Sequence, residues 1–326
     1  MSNQLYRLEE VIQMIEQGKL LMLAGDESQL DQLPDGKWVG GTIPYFMTKD
    51  GGMFTEDFIY VNDITDKVTD FEIKHYNANN IDNIVEQSYE NGFSFLILPG
   101  LTDVWSRYAL ESPEWEDIYV NPVVGWVSGV KYEDFGKIKP KTYAGNQSFT
   151  DQAVVMHAKL PDEKVARVET INVYEQGSGD EIYFDQKGFG NNECVIDGKR
   201  FDLYQYLKTN KIDETLPLVA NYAGANINVG SIWDKDRQRA DLFAPVFPET
   251  PYKVAKSRDF DYAREFKCHI AKEPSREHIV FSCNCLFNYV NFGLEGKNIA
   301  DVSGPVTFGE IAYHVLNLTF VYMVIE

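Results

Sequence analysis

The residues best placed for chemistry in this sequence are two cysteines and a glutamate near its end. Cys283 and Cys285 follow an apolar run at residues 278–282, and Glu310 follows a glycine, Gly309. Residues two apart in a strand share a face, so the two thiols are expected side by side. Three roles are open to them: packing in the core, a thiol facing a ligand, or a metal or redox pair.

The sequence offers no complete set of partners for catalysis or for a metal ion. Zinc held by Cys283 and Cys285 needs two more ligands, and no spacing selects His278 or His314. No Gly-x-Ser-x-Gly, His-Glu-x-x-His or phosphate-binding glycine motif occurs. We therefore predict no catalytic residues, no metal and no cofactor. The alternative is an enzyme with Cys283 as nucleophile and His314 as base.

Acidic and aromatic residues elsewhere predict a site for a small polar ligand with an amino group. Asp103 and Trp105 follow an apolar strand and combine a carboxylate with an aromatic surface. That combination suits an amine through charge and cation–π contact. Trp38, Trp126 and Asn146 are expected to complete this cage. The alternative is that these rings close the edge of a core.

Glycines in apolar strands are expected to form walls of the same site. Gly41 lies in one such strand, and Gly309 precedes Glu310, whose carboxylate can accept a hydrogen bond from a ligand amine. A glycine allows a ligand or another strand to approach closely. Cys283 and Asn284, at the end of their strand, complete the predicted ligand-binding residues.

The composition restricts the classes of partner. Against 30 lysines and arginines stand 50 aspartates and glutamates, which gives a formal net charge of −20. Phosphate backbones and anionic lipids repel such a chain, so neither nucleic acid nor a membrane is expected as a partner. The four cysteines are few and irregularly spaced, and no signal-peptide pattern or membrane-spanning apolar run occurs. We therefore expect a protein of the reducing cytoplasm.

The elements that must position these residues are of mixed α and β type. Strands are predicted at residues 70–75 and 93–98 on either side of a helix at 80–90, and this order predicts a parallel pair. A further helix is expected at about 102–110. The run at 37–46 is predicted as one strand that Gly40 and Gly41 interrupt.

A charged segment at residues 161–164 is the predicted linker, and after it the pattern becomes richer in strands. We therefore predict an α/β (α+β) fold with two mixed-sheet halves. The N-terminal α/β half takes residues 1–160, and the β-rich C-terminal half takes residues 161–326.

Short segments spread along the chain form an ordered pattern. Residues 38–45 read Trp-Val-Gly-Gly-Thr-Ile-Pro-Tyr, and 123–129 with 145–148 form a glycine-rich strand and loop. Residues 281–284 read Phe-Ser-Cys-Asn, and residues 307–311 read Thr-Phe-Gly-Glu-Ile. In this order and approximate spacing the segments resemble the FIST sensory domain, a family whose name refers to intracellular signal transduction.

The resemblance implies a two-part sensory module for a small ligand. An arginine that often follows the Ser-Cys-Asn element in that family is absent here, with Cys285 and Leu286 in its region. We expect a stand-alone module that binds an amino acid or a similar amine and acts through a separate signalling protein. The alternatives are the Cys283 enzyme and a structural protein that binds only a partner.

Overall fold

The computed structural model describes residues 4–190, 192–222, 224–257 and 261–326. The helices in these ranges are α1 (Leu8–Glu16), α2 (Glu27–Leu30), α3 (Asn83–Glu86), α4 (Asp103–Glu111), α5 (Leu203–Thr209), α6 (Tyr262–Ile270) and α7 (Leu286–Asn291). The content is 18% helix and 39% strand, which confirms the predicted mixed α and β class.

The strands of the described ranges are numbered in chain order. They are β1 (Gln4–Tyr6), β2 (Leu21–Gly25), β3 (Trp38–Thr42), β4 (Tyr45–Thr48), β5 (Gly51–Phe54), β6 (Ile59–Asp63), β7 (Asp70–Tyr76), β8 (Gly92–Pro99), β9 (Val123–Ser128), β10 (Thr142–Ala144), β11 (Gln147–Phe149), β12 (Ala153–Lys159), β13 (Ala166–Ile171), β14 (Glu193–Ile196), β15 (Lys199–Asp202), β16 (Leu218–Tyr222), β17 (Ala225–Val229), β18 (Ser231–Asp234), β19 (Arg239–Leu242), β20 (Tyr252–Val254), β21 (Ile279–Cys285), β22 (Gly304–Thr307), β23 (Glu310–Ala312), β24 (His314–Leu316) and β25 (Phe320–Ile325).

Three six-stranded sheets organise the described residues. The first has the order β1-β6-β2-β3-β10-β11, the second β24-β23-β9-β8-β12-β7, and the third β13-β25-β21-β22-β4-β5. Smaller sheets are formed by β14-β15, by β17-β16-β20 and by β18-β19.

Strands from both halves of the sequence share two of these sheets. In the second sheet Ile311 of β23 pairs with Gly125 of β9, and in the third Pro305 of β22 pairs with Phe46 of β4. The division into residues 1–160 and 161–326 stays a prediction; residues 1–3, 191, 223 and 258–260 of those ranges lie outside the described part.

The predicted strand at residues 37–46 is two strands in different sheets. β3 lies in the first sheet and β4 in the third, with Ile43 and Pro44 between them. Proline has no backbone N–H to donate to a ladder and limits the residue before it, so the chain leaves the first sheet here. The predicted interruption is therefore wrong in its position, because β3 continues through Gly40 and Gly41 and the break falls at Ile43 and Pro44.

β7 and β8 are not the parallel pair that the sequence predicted. β12 lies between β7 and β8, and its Met156 pairs with Ile73 on one side and Phe95 on the other. β8 instead runs parallel to β9. The helix predicted at residues 80–90 is the single turn α3, and β21 continues through Cys283 to Cys285 rather than ending before them.

The main core lies where the three sheets meet. Phe95 of β8 and Trp126 of β9 face Phe281 of β21, with ring centroids 4.8 Å apart for Phe95 and Phe281 and 5.9 Å apart for Trp126 and Phe281. All three rings are at most 1% exposed. This contact joins the second sheet to the third and fixes the distance between β9 and β21.

We predict that Gly125→Ala destabilises the protein by about 3 kcal/mol or more, because overpacking against backbone cannot be relieved by a side-chain rotation. A Cβ at this position would lie 1.8 Å from the Leu96 carbonyl oxygen. Chemical denaturation would measure the loss. The control is Gly179→Ala, where nothing lies within 4 Å of the added carbon and a change within about 0.5 kcal/mol is expected. Equal effects of the two changes would contradict this account of β9.

Candidate functional site

A cleft of about 540 Å³ lies beyond the carboxyl ends of the parallel strands β8 and β9. We call it the first cleft. In open α/β sheets, ligands bind in crevices of this kind, outside the carboxyl ends of the strands. It is lined by the residues at 100–103, 105, 127–130, 135–140, 150–151, 243 and 308.

The start of α4 forms one wall of the first cleft. The Thr102 hydroxyl donates to the Pro99 carbonyl at 2.6 Å and accepts from the Trp105 backbone N–H at 3.4 Å. This cap begins the helix and places Asp103 in its first turn, where the helix dipole favours a carboxylate. Leu101, just before it, has a φ of 60° and is 52% exposed. A leucine in the left-handed region at a cleft rim is a strained position of the kind that clusters at binding sites.

Trp105 lies deeper in the same wall. Its ring is 7% exposed and stacks on Phe189, with centroids 4.5 Å apart and planes inclined by 27°. The indole N–H has no hydrogen-bond partner among the described residues. A buried N–H without a partner costs free energy.

Aromatic rings from distant parts of the chain form the opposite wall. Phe308 packs against the end of β9, where a Cβ on Gly129 would lie 1.9 Å from its ring. Phe135 stacks on Phe308 at 5.5 Å and contacts Phe243 at 5.6 Å. The sequence analysis did not select these phenylalanines. The signal available for Phe308 was Gly129, since a strand that ends in glycine predicts close approach of another group.

Charges of both signs line the first cleft. Asp103 and Asp151 supply carboxylates, while Lys137 and Lys139 supply ammonium groups. The Lys137 ammonium donates to the Glu133 carbonyl oxygen at 2.6 Å, which ties it to its own loop. A cleft with opposite charges and aromatic walls suits a small molecule that itself carries both charges.

A narrow cavity of about 20 Å³, which we call the neck, adjoins the first cleft. Phe135, Phe243 and Phe308 line both, and Cys285 and Thr307 also line the neck.

On the other side of the neck is a second cleft of about 330 Å³. Tyr132, Ile232 and Phe287 line both the neck and this second cleft. Trp233 and the charged residues Glu214, Lys235 and Asp236 also line the second cleft. The two clefts are therefore separated only by a short aromatic neck.

Of the ten predicted ligand-binding residues, the structure brings Asp103 and Trp105 together in the first cleft. Gly41 and Trp126 lie in the core behind it, where a Cβ on Gly41 would be 3.1 Å from the Trp126 indole nitrogen. Cys283 is also in this core, with its thiol 3.6 Å from the Gly125 carbonyl oxygen.

Trp38 and Asn146 lie apart from the cleft. Trp38 faces α1 on the other side of the first sheet, stacks on Tyr143 and donates its indole N–H to the Pro34 carbonyl at 2.9 Å. Asn146 is exposed in the turn between β10 and β11. The cage predicted from these residues with Asp103, Trp105 and Trp126 is therefore not assembled.

Glu310 is fully buried in β23. One carboxyl oxygen accepts from the Thr319 backbone N–H at 3.1 Å and from its hydroxyl at 2.7 Å. Burial raises the pKa of Glu310 to about 8, against the opposing effect of the hydrogen bonds from Thr319 and Cys285. The group is mostly protonated at neutral pH. Gly309 before it is buried, and a Cβ there would be 3.0 Å from Val127, so the glycine lets the turn into β23 pack on β9.

Asn284 is a buried connector rather than part of a cleft wall. Its side-chain oxygen accepts from the Cys285 backbone N–H at 2.8 Å, the Asn288 amide at 3.1 Å and the Tyr262 hydroxyl at 3.3 Å. These bonds join the end of β21 to α7 and α6. None of the three clefts and cavities described above is lined by Asn284.

The thiols and His314 do not form a nucleophile and base. Burial raises the pKa of Cys283 and Cys285 well above the ordinary thiol value, which disfavours the reactive thiolate. Burial lowers the pKa of His314 to about 4, and its Nε2 lies 2.7 Å from the Tyr119 hydroxyl. Across the described ranges, no three His, Cys, Asp or Glu side chains are grouped so that they could hold a metal ion.

A buried polar chain also crosses the second sheet. His157 lies 2.8 Å from the Ser94 hydroxyl through Nδ1 and 2.9 Å from the Tyr76 hydroxyl through Nε2, and Tyr76 donates to Gln87 at 2.7 Å. His157 and Ser94 are 0% exposed. With no solvent or cleft beside it, this serine–histidine pair joins strands and is not placed to meet a substrate.

The chain belongs to the family described as "Family of unknown function (DUF6976)", which it matches over residues 6–326. A search of curated proteins finds no match. Within the residues that the structure describes, every helix is too short or too polar to cross a bilayer.

We predict that the contribution of Glu310 to stability falls as the pH rises from 4.5 to 8, and that Glu310→Gln removes this component. The folded pKa of about 8 exceeds the ordinary 4.5, so the folded state binds more protons across this window. At about 1.4 kcal/mol per pKa unit, the loss is on the order of 5 kcal/mol. Denaturant titrations at several pH values would measure it. The exposed Glu163→Gln is the control, and an unchanged pH profile in Glu310→Gln would contradict the prediction.

A second pH effect of opposite sign is expected from His157. Burial lowers its pKa from 6.5 to about 4, so the stability it provides is complete above 6.5 and is lost as the pH falls to 4. The expected loss is about 3 kcal/mol. His157→Gln should reduce the acid limb by about 3 kcal/mol in the same titrations. The part due to His314, whose pKa burial also lowers to about 4, should remain, and the exposed His269→Gln should keep the whole limb. An acid limb of unchanged size in His157→Gln would contradict the prediction.

Proposed function

We propose that this member of a family of unknown function is a cytoplasmic sensory module. It binds a small polar ligand, an amino acid or a similar amine, in the first cleft and acts through a separate partner protein. The observation that carries the proposal is the first cleft itself: about 540 Å³ at the carboxyl ends of two parallel strands, with Asp103 and Trp105 in its wall. Its volume is in the range typical of small-molecule sites.

The lining of the first cleft supports an amino-acid-like ligand. A ligand ammonium would find carboxylates at Asp103 and Asp151, and a ligand carboxylate would find the ammonium groups of Lys137 and Lys139. The net charge of −20 raises the local concentration of cationic and zwitterionic molecules relative to anions.

The resemblance to FIST domains supports a sensory function, and we propose that the two families are related. Two of the segments that carry the resemblance border the first cleft. Residues 123–129 end in Ser128 and Gly129, and residues 307–311 contain Phe308.

Signalling would follow from the position of the first cleft between both halves of the sequence. Trp105 from the N-terminal half stacks on Phe189 from the C-terminal half, and Phe135 contacts Phe243 across the same boundary. A ligand that contacts both sides favours the arrangement in which they are close. A partner that recognises this arrangement would receive the signal.

Two observations bear on compartment and on the enzymatic alternative. All four cysteines are free, and three of them are buried, which supports a reducing compartment. The thiol of Cys283 is buried and protonated, and the hydrogen-bond partner of His314 is Tyr119 rather than a thiol. Both observations favour ligand binding over nucleophilic catalysis.

A thermal-shift screen with free amino acids and simple amines tests the proposal. A ligand at a hundred times its dissociation constant should stabilise the protein by about 2.7 kcal/mol. For any hit, Asp103→Asn should weaken affinity about tenfold by calorimetry, which is about 1.4 kcal/mol. The control Asp162→Asn removes the same charge from an exposed segment outside the cleft.

Two results would contradict the proposal. If no amino acid or amine changes the melting temperature while affinity capture returns one stoichiometric partner, the protein is a structural binding module. If a hit binds Asp103→Asn as tightly as the unchanged protein, the first cleft is not its site.

A further inference from the structure

We propose that the ligand is a basic α-amino acid with a linear side chain, bound by its α-amino and α-carboxylate groups in the first cleft and by its terminal ammonium in the second cleft. This inference rests on the proposed function, because it names the class of ligand for the same site. The observation behind this inference is that two polar clefts lie side by side and are joined by the aromatic neck.

The charges that line the two clefts differ in balance. In the first cleft the carboxylates of Asp103 and Asp151 are matched by the ammonium groups of Lys137 and Lys139. In the second cleft, Glu214 and Asp236 face a single lysine, Lys235. A balanced site fits a zwitterionic head, and a site with one excess carboxylate fits a cation.

The charges of the first cleft orient the head. The α-ammonium lies toward Asp103 or Asp151, and the α-carboxylate lies toward Lys137 or Lys139.

A ring contact closes the neck between the two clefts. Phe243 lines the first cleft and Phe287 lines the second, and their ring centroids are 5.4 Å apart, a distance at which the rings are in contact. A ligand stem can pass only when these rings separate. The neck is lined almost wholly by aromatic and aliphatic groups, which suits methylenes.

The neck must widen to admit the stem. Its volume of about 20 Å³ is enough for about one water and leaves no room for a run of methylenes. Tyr132 is 42% exposed and Phe135 is half-buried, so both rings can turn outward without opening the core. Ligand binding would thus displace the segment that carries them, a change that a partner protein can detect.

In the second cleft the ammonium is assigned to Asp236. Glu214 is already paired with Lys235 at 3.1 Å. Tyr132 and Trp233 supply ring faces in the same cleft, and a cation over such rings gains further attraction.

Calorimetry with L-lysine and L-norleucine tests the inference, because norleucine has the same head and stem and lacks the terminal ammonium. Lysine should bind about tenfold more tightly, which is about 1.4 kcal/mol. Asp236→Asn should abolish this preference by weakening lysine and leaving norleucine unchanged. Asp162→Asn, an exposed aspartate outside both clefts, is the matched control and should retain the preference.

The outcomes separate the inference from the proposed function. If norleucine binds as tightly as lysine, or if Asp236→Asn leaves lysine affinity unchanged, the second cleft is not used and only the first-cleft proposal stands. If some other amino acid binds and neither lysine nor norleucine does, this inference is overturned and the proposed function is retained. If no amino acid or amine binds, both are overturned.

Discussion

The described structure depends on strand β9 fitting between its neighbours, and β9 fits because residue 125 has no side chain. A single added carbon there would lie 1.8 Å from the Leu96 carbonyl oxygen and would push apart the parallel pair. The same strand pairs with β23 and presents Trp126 to the ring of Phe281, and it is followed by Gly129, against which Phe308 packs. The register of β9 thus fixes the core contact between the sheets at one end and the wall of the first cleft at the other.

Polar residues near β9 fall into two environments that serve different purposes. Asp103 and Asp151 line a cleft and remain exposed, whereas Glu310, Asn284 and His157 are buried and hold strands and helices together. Asp103 and Asp151 lie outside the strands, whereas Glu310, Asn284 and His157 lie in β23, β21 and β12. A carboxyl group in the core is kept neutral by burial, while one at the start of a helix is stabilised as an anion. Both environments occur near strand ends, since Asp103 follows β8 and Glu310 begins β23.

This similarity explains how far the sequence could predict the structure. The fold class followed from alternating apolar runs, and Asp103 with Trp105 could be placed because the loop after a fully apolar strand was recognisable. Glu310 could not be assigned to the core, because its burial depends on β23 pairing with a strand almost two hundred residues earlier. Phe135 and Phe243 were missed for a related reason. They belong to loops with no periodic pattern, and they meet only through tertiary contact. The break at Pro44 was the one local signal that was present in the sequence and was not used.

The pairing of β22 with β4 has a consequence for how the chain acquires its structure. Gly304 and Met47 are neighbours in the third sheet although most of the polypeptide separates them. Contacts of such separation form slowly, since a long loop must close before any of them gains energy. During synthesis, the emerging β4 and β5 hairpin and the open side of β9 therefore remain without their partners until residues beyond 300 have left the ribosome. Unpaired strand edges associate readily with other chains, so these edges are the places where a nascent copy of this protein is most exposed to aggregation.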